Sequence, residues 1–266
     1  MKIAIINFEN SNATQVANDI KSLLIKENIE VTEENPDLVI SVGGDGTLLS
    51  AFHRYQNKLD KIRFVAVHTG HLGFYADWRE NEIDQLVNSI KNDNQQKISY
   101  PLVEAEIIYK DKTKKKITAL NEIIFTKNSG TLISDVLIED QKFERFRGDG
   151  ITFSTPTGST AYNKTIGGAV INPRINVMQM TEVASINNRI FRTLGSSIII
   201  PAEQTVTIFP DDDEVLVNYD NLNIEADVIE EAKIKISKDV INFAEYHHIP
   251  FWKRVQNSFI GEIDEI

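Results

Sequence analysis

The residues best suited to chemistry form a turn at positions 43–47, with the sequence Gly-Gly-Asp-Gly-Thr. The apolar run at 38–42 predicts a strand before this turn, and the pattern from Thr47 onward predicts a helix. Glycines at a strand–helix junction permit positive φ and a close approach of backbone N–H groups to an anion, which the helix dipole also favours. The turn therefore predicts a phosphate-binding site formed by Gly43, Gly44, Gly46 and Thr47.

Asp45 is the acidic residue within this turn. A carboxylate there repels a phosphate unless it meets a hydroxyl group or a magnesium ion, and it can accept the proton of an attacking alcohol in phosphoryl transfer. Aspartate is also a favoured N-cap residue. The turn alone leaves both roles open for Asp45: general base, or cap of the following helix.

Several common kinds of site are excluded by what the sequence lacks. It contains neither the G-x-x-x-x-G-K-[ST] motif of P-loop kinases nor the G-x-G-x-x-G motif of standard dehydrogenases. It has no cysteine, which excludes thiolate chemistry, and its five histidines do not show the spacing of metal ligands. We therefore expect no metal site built from protein side chains.

The composition is that of an ordinary soluble globular protein. The 266 residues include 28 basic and 39 acidic side chains, a formal net charge of −11, which argues against a nucleic-acid partner. No apolar run approaches the roughly 20 residues of a membrane span, and the first residues lack the features of a signal peptide. We expect a cytoplasmic protein with no membrane partner.

Two patterns of hydrophobicity divide the chain near residue 100. In residues 1–100, short apolar segments alternate with amphipathic ones, which predicts an α/β nucleotide-binding domain with a mostly parallel sheet. The strands are expected at 3–6, 38–42 and 64–67, and the helices at 13–24, from 47, and at 83–90.

Residues 101–266 instead show closely spaced alternating segments, which predict an antiparallel β-sandwich. Strands are expected at 103–109, at 135–139 with 143–146, and at 206–209, 216–219 and 233–236. A lysine-rich turn at 110–116 should lead into a single strand that ends near Phe125. The apolar tail at 249–260 is expected to be buried.

Four segments together resemble the NAD kinase family. They are the turn at 43–47, HTGHLGFYAD at 68–77, Ala-Leu-Asn-Glu at 119–122, and GDGITFSTPTGSTAYNKTIGGAV at 148–170. The fourth segment is long and is the most specific, whereas the glycine turn also occurs in diacylglycerol kinases, sphingosine kinases and phosphofructokinases. The family fold is an α/β domain followed by a β-sandwich, in agreement with the patterns above. In the family the C-terminal segment returns to the N-terminal domain, so the resemblance implies that the tail at 249–266 packs there.

The resemblance implies transfer of the γ-phosphoryl group of ATP, or of another donor such as polyphosphate, to the adenosine 2′-hydroxyl of NAD. Mg²⁺ would arrive with ATP, and the protein would be a homo-oligomer, a tetramer or a dimer. A lipid kinase of the same superfamily and a non-catalytic dinucleotide sensor are the alternative functions.

The resemblance also assigns roles to individual residues. Asp45 would be the general base, Asn121 and Glu122 would bind NAD through a ribose or base, and Thr160, Ala161 and Tyr162 would frame an adenine. Arg147 is either a phosphate partner or a surface cation, Lys164 either a phosphate partner or a solvated side chain, and Asp220 either a nucleotide contact or a turn residue. The remaining predicted NAD-binding residues are Gly46, Phe74, Asp149, Asn163, Thr165, Ala184 and Ile186. A role in packing alone is the alternative for Phe74, Ala184 and Ile186.

The second segment departs from the family pattern, because many members have an asparagine-containing N-x-G-x-L-G-F stretch there. This chain has His68 and His71 instead. The sequence assigns neither histidine a role.

Overall fold

The computed structural model describes residues 1–70, 73–127, 129–211, 214–226, 228–247 and 249–261. His71 lies outside the described residues. The chain forms two compact units: an N-terminal unit of residues 1–99 together with the segment from residue 240, and a central unit of residues 100–239.

The elements follow one another along the chain. Those up to residue 91 are β1 (Lys2–Asn7), α1 (Ser11–Lys26), β2 (Glu30–Val31), β3 (Leu38–Val42), α2 (Asp45–Tyr55), β4 (Arg63–His68), β5 (Trp78–Arg79) and α3 (Ile83–Lys91). Those that follow are β6 (Lys97–Tyr109), β7 (Lys114–Ala119), β8 (Glu122–Lys127), β9 (Leu132–Ile138), β10 (Gln141–Gly148), β11 (Gly150–Ser154), α4 (Tyr162–Thr165), β12 (Val177–Val183), β13 (Ile198–Pro201), β14 (Val206–Pro210), β15 (Val215–Tyr219), β16 (Leu222–Ala226), β17 (Ile229–Ala244) and α5 (Phe251–Phe259).

The N-terminal unit is built on a parallel sheet in the order β2-β1-β3-β4. All five residues of β3 are buried, as expected for a strand covered on both faces. Helix α1 is capped by Asn10, whose side chain accepts a hydrogen bond from the Ala13 amide at 2.7 Å. Its buried face repeats with helical spacing and consists of Ala13, Val16, Ala17, Ile20 and Leu24.

The order of these strands has a switch point between β1 and β3. The chain moves outward from β1 to β2 in one direction and from β3 to β4 in the other. In open parallel sheets, ligands bind outside the carboxyl ends of the strands at such a switch point. The turn at 43–47 directly follows β3, so it lies at this position.

The central unit is a sandwich of two sheets. Strand β17 continues the order β10-β9-β14-β17 and also pairs with β6, which pairs with β7. The second sheet is six-stranded, in the order β13-β12-β11-β8-β15-β16. A single hydrophobic core includes side chains of both sheets, among them Val103, Phe125, Phe146 and Phe153. The predicted fold class, an α/β domain with a β-sandwich, is confirmed.

The segment between residues 110 and 127 differs from its prediction. The turn is shorter than expected, and the predicted single strand is two strands, β7 and β8, that lie in different sheets. The chain changes sheet at Leu120 and Asn121, whose amides donate to the Asp220 carboxylate at 2.9 and 2.7 Å. A partner about a hundred residues away leaves no local trace in the hydrophobic pattern.

The expectation that the apolar tail is buried is wrong for three of its large apolar side chains. Trp252, Phe259 and Ile260 are 58%, 42% and 67% exposed, whereas Arg254 is only 8% exposed. A helix as short as α5 can bury only one face, and here the buried face is centred on a paired cation. Among the described residues, no helix combines the length and the apolar character that a membrane crossing needs.

Candidate functional site

The predicted site residues fall into two groups, one in each unit. The glycine turn, Asp45 and Phe74 belong to the N-terminal unit, and the other predicted residues belong to the central unit. Each group is described by itself.

Gly43 and Thr47 have roles within the fold. The backbone of Gly43 has a φ of +150°, and a Cβ atom there would lie 2.3 Å from the Thr47 hydroxyl oxygen. The Gly43 amide donates to Val67 O at 2.9 Å, and the Thr47 amide donates to Gly44 O at 3.0 Å. Both amides are therefore already hydrogen-bonded within the protein, and neither is a strong candidate for contact with phosphate.

Gly44 and Gly46 are not required by packing. A Cβ atom at either position would have no described atom within 4 Å, and Gly44 has an ordinary φ of −90°. Gly46 lies in the first turn of α2, where backbone N–H groups have no acceptor within the helix. The open space and the orphan amides together suit an anion at the helix N-terminus.

Asp45 is not the cap of helix α2. The N-cap is Gly44, which makes no side-chain capping bond, and Asp45 is the first helical residue. Its carboxylate instead accepts the Phe74 amide at 2.7 Å and the Tyr75 amide at 3.0 Å. A Cβ atom at Gly73 would lie 2.4 Å from Asp45 Oδ1, so this approach requires glycine at position 73. The capping interpretation is therefore wrong, and the carboxylate is fixed by the segment at 73–75.

Phe74 is held from the other side by the C-terminal helix. Its ring contacts the Phe251 ring edge-on, with centroids 5.7 Å apart, and is only partly buried. If Phe74 contacts a ligand as predicted, the same ring also packs against Phe251.

In the central unit, Asn121 and Glu122 are positioned by Asp220. The two amides that bind the Asp220 carboxylate are those of Leu120 and Asn121, and the Asp220 amide donates back to Glu122 O at 3.1 Å. Asp220 itself has a φ of +50° in the turn between β15 and β16. The turn interpretation of Asp220 is thus satisfied, and the same carboxylate fixes the predicted NAD-binding pair.

The STPTG part of the fourth sequence segment packs directly on Asn121. Thr155 donates its hydroxyl to Leu120 O at 2.6 Å and its amide to Asn121 O at 2.9 Å. A Cβ atom at Gly158 would lie 2.0 Å from Asn121 O, so only glycine fits. The motif residues Thr155, Thr157 and Gly158 were not among the predicted site residues, although their place in the motif was a usable signal.

Glu122 is a buried carboxyl group with an unsatisfied oxygen. It is 6% exposed, and its Oε2 has no hydrogen-bond partner among the described residues. Burial, and secondarily the charge of Asp220, raises the pKa of Glu122 to about 8. A neutral carboxyl group here can donate one hydrogen bond and accept another, which suits a hydroxyl-bearing ligand.

The residues from 160 to 165 differ in exposure. Tyr162 is 39% exposed at the start of α4, and Lys164 and Thr165 are also exposed. Asn163 is fully buried: its Oδ1 accepts the Thr181 hydroxyl at 2.8 Å, and its side chain packs against Gly168. Asn163 therefore has a packing role. Thr160 and Ala161 are partly buried.

Four of the predicted residues lie at or next to the start of the loop after β12: Arg147, Asp149, Ala184 and Ile186. The Arg147 guanidinium lies 4.2 Å from the centre of the Phe191 ring, and Arg147 O accepts the Ile186 amide at 2.7 Å. Asp149, Ala184 and Ile186 are exposed. The cation of Arg147 is thus in contact with an aromatic face, which neither sequence interpretation included.

His68 is buried at the end of β4 with 9% exposure. Its Nδ1 lies 3.2 Å from Gly70 O, and its Nε2 has no hydrogen-bond partner among the described residues. Within the part of the chain that is described, no group of three or more acidic or histidine side chains could hold a metal ion.

The pKa of Glu122 predicts a pH dependence of stability. A carboxyl group with a raised pKa in the folded state stabilises the fold below its unfolded pKa of 4.5 and loses that contribution as the pH rises to about 8. Relative to Glu122→Gln, the wild type should therefore lose free energy of unfolding across this window, by at most about 1.4 kcal/mol per pH unit.

Urea unfolding at several pH values between about 5 and 8.5 measures this difference. Glu203→Gln, at an exposed position, controls for the change in net charge. Parallel pH profiles of the wild type and Glu122→Gln would contradict the assignment of a buried neutral carboxyl.

Models of two protein families match most of the chain. The ATP-NAD kinase N-terminal domain matches residues 3–95, and the ATP-NAD kinase C-terminal domain matches residues 120–245. The second match contains the Asn121–Glu122 pair and the whole STPTGSTAY segment.

Full-length relatives carry the same description. The chain is 48% identical over 264 residues to an NAD kinase of Leuconostoc mesenteroides, with 99% of this chain and 100% of the relative covered. It is 51% identical to an NAD kinase of Levilactobacillus brevis, with 98% of each chain covered.

Two solved structures share the fold. A yeast NADH kinase complexed with NADH superimposes with a TM-score of 0.86 at 19% identity, covering 100% of this chain and 89% of the other. An NAD kinase from Archaeoglobus fulgidus in complex with ATP has a TM-score of 0.75 at 22% identity, covering 98% of each. At these identities the two structures support the fold, and the family models with the full-length relatives support the membership. The chain belongs to the NAD kinase family.

Proposed function

We propose that this NAD kinase uses Asp45 as the general base when it transfers the γ-phosphoryl group of ATP to the adenosine 2′-hydroxyl of NAD. The observation that supports this role is the fixed Asp45 carboxylate beside two open glycines at the N-terminus of α2. Its two amide donors, Phe74 and Tyr75, orient it without neutralising its charge. A carboxylate oriented in this way can accept the proton of a hydroxyl group that lies within hydrogen-bond distance of it.

In the proposed reaction, the 2′-hydroxyl oxygen forms a bond to the γ-phosphorus while the bond from that phosphorus to the bridging β,γ oxygen breaks. The hydroxyl proton passes to Asp45, and ADP leaves. The N-terminal amides of α2 at Gly44–Gly46 and the dipole of this helix stabilise negative charge on the transferred group. Mg²⁺ enters as part of the ATP substrate and screens the phosphate charges.

The central unit supplies the proposed NAD contacts. Asn121 and the neutral Glu122 carboxyl are suited to hydroxyl groups of a ribose, and the exposed Tyr162 ring can stack on an adenine. Asp149, Thr160, Ala161, Lys164, Thr165, Ala184 and Ile186 remain proposed contacts by family resemblance. For Arg147, a phosphate contact would require it to leave the Phe191 ring or to bind from its opposite edge.

Substrates named for the relatives agree with this proposal, since one solved structure holds NADH and the other holds ATP. We also propose a cytoplasmic location and a homo-oligomeric assembly. The exposed apolar side chains of the single chain, such as Ile190 at 81% and Trp252 at 58%, support an assembly.

Asp45→Asn should lower kcat by about 10²- to 10⁴-fold, because it removes the proton acceptor. The dissociation constant for NAD should change by less than about threefold, because the central unit supplies the main proposed NAD contacts. A coupled assay for NADP formation gives kcat, and calorimetry gives NAD affinity.

Asp84→Asn is the matched control, since Asp84 is also an acidic residue in the first turn of a helix of the same unit. It should leave kcat unchanged. An Asp45→Asn enzyme with wild-type turnover would exclude the proposed base.

Gly46→Ala should separate stability from activity. Alanine in the first turn of α2 meets no described atom, so it should raise the free energy of unfolding by up to about 1 kcal/mol. The added methyl group occupies the space proposed for phosphate, so KM for ATP should rise. Urea unfolding and steady-state kinetics measure the two effects.

Asn18→Ala provides the comparison, because Asn18 is exposed on α1 and gains helix propensity without approaching the turn. It should raise stability and leave KM for ATP unchanged. An unchanged KM in Gly46→Ala would argue against phosphate binding above this residue.

A further inference from the structure

The peptide group between Phe74 and Tyr75 is hydrogen-bonded on both sides. Its N–H, from Tyr75, donates to Asp45 Oδ1 at 3.0 Å, and its C=O, from Phe74, accepts a hydrogen bond from Arg254 Nη1 at 2.7 Å. A peptide group is planar and rigid, so a hydrogen bond that holds its oxygen in place also fixes the direction of its N–H. One amide plane therefore connects the guanidinium of Arg254 with the carboxylate of Asp45.

The guanidinium is itself firmly held. Arg254 Nη2 donates to Asp77 Oδ1 at 2.5 Å, and Arg254 Nε donates to Ile249 O at 3.0 Å. Asp77 Oδ1 also accepts the Ile249 amide at 3.1 Å. The two charged side chains are only 10% and 13% exposed, so this arrangement is largely shielded from water.

We infer that Arg254, on the C-terminal helix, is a positioning residue for phosphoryl transfer because it orients the Phe74–Tyr75 peptide that holds the proposed base Asp45. The inference rests on the proposed role of Asp45. Beyond fixing the plane, a cation at the carbonyl oxygen polarises the amide and strengthens its bond to the carboxylate. Loss of the guanidinium lets the peptide rotate, and the carboxylate then loses one of the two donors that it has among the described residues.

If Arg254 only stabilises the fold, breaking another ion pair of similar burial in the same unit should lower kcat equally. The unit contains such an ion pair. Arg63 binds Asp93 through two nitrogens, and these side chains are 12% and 11% exposed. Both residues lie outside the 73–77 segment and the glycine turn. Breaking this pair tests what the loss of a buried ion pair does to activity when the peptide at 74–75 is intact.

The experiment compares Arg254→Met/Asp77→Asn with Arg63→Met/Asp93→Asn. Changing both partners avoids leaving a buried charge unpaired, and asparagine at position 77 keeps the acceptor for the Ile249 amide. The Arg254 pair should lower kcat about 10- to 100-fold and change KM for NAD and for ATP by less than about threefold. The Arg63 pair should leave kcat within about threefold of wild type. Equal effects on kcat in the two variants would overturn the inference.

A double-mutant cycle with Asp45→Ala provides a measurement that a change in stability alone does not affect. If Arg254 acts through Asp45, adding the Arg254 change to Asp45→Ala should not lower kcat further. Additive losses would mean that Arg254 acts by another route, and would overturn the inference. Arg254→Lys retains a charged donor for Phe74 O and a partner for Asp77, so its kcat should lie between that of the wild type and that of the methionine variant. It also serves as the test variant if the methionine variant does not fold.

Failure of this inference is distinguishable from failure of the proposed function. If Asp45→Ala alone retains wild-type turnover, the proposed base is wrong, and the inference about Arg254 falls with it. If Asp45→Ala is inactive and the Arg254 pair behaves like the Arg63 pair, the base stands and only the role of Arg254 is wrong.

Discussion

The hydrogen bonds from two consecutive amides to the Asp45 carboxylate are the constraint on which the N-terminal site depends. A carboxylate in the first turn of a helix could rotate freely or cap the helix, but here both of its oxygens are engaged by the segment at 73–75. The close approach requires Gly73, and the peptide group that supplies the Tyr75 amide accepts a hydrogen bond from Arg254 through its oxygen. The glycine turn, the loop after β4 and the C-terminal helix thus act on one functional group.

In the central unit, backbone amides also fix an aspartate carboxylate, but here a second carboxyl group is buried close to it. One aspartate, Asp220, is satisfied by backbone amides at Leu120 and Asn121, whereas its neighbour Glu122 is buried with an unsatisfied oxygen. Burial raises the pKa of Glu122 to about 8, and the nearby charge of Asp220 adds to this shift, so the Glu122 carboxyl can hold a proton at neutral pH. Asp220 thus has two effects. Its carboxylate accepts the hydrogen bonds that position the Asn121–Glu122 segment, and its charge favours the protonated form of Glu122, which can donate a hydrogen bond.

Sequence reasoning predicted the N-terminal unit well because parallel strands buried on both faces and amphipathic helices leave strong local patterns. The run at 38–42 and the buried face of α1 are examples. It missed β11, which is buried along its whole length, and the division of one expected strand into β7 and β8, because both depend on partners distant in sequence. Family motifs indicated the site residues, but only coordinates distinguish the buried Asn163 from the exposed Tyr162, and no pattern marked Arg254.

The contact between Arg254 and Phe74 joins residues separated by 180 positions in the sequence. Closing a loop of that length carries a large entropy cost and is slow compared with forming a helix or a hairpin. During refolding, the sheet of the N-terminal unit can therefore assemble before its last helix is in place. Secondary structure should then return earlier than catalytic competence in a refolding experiment.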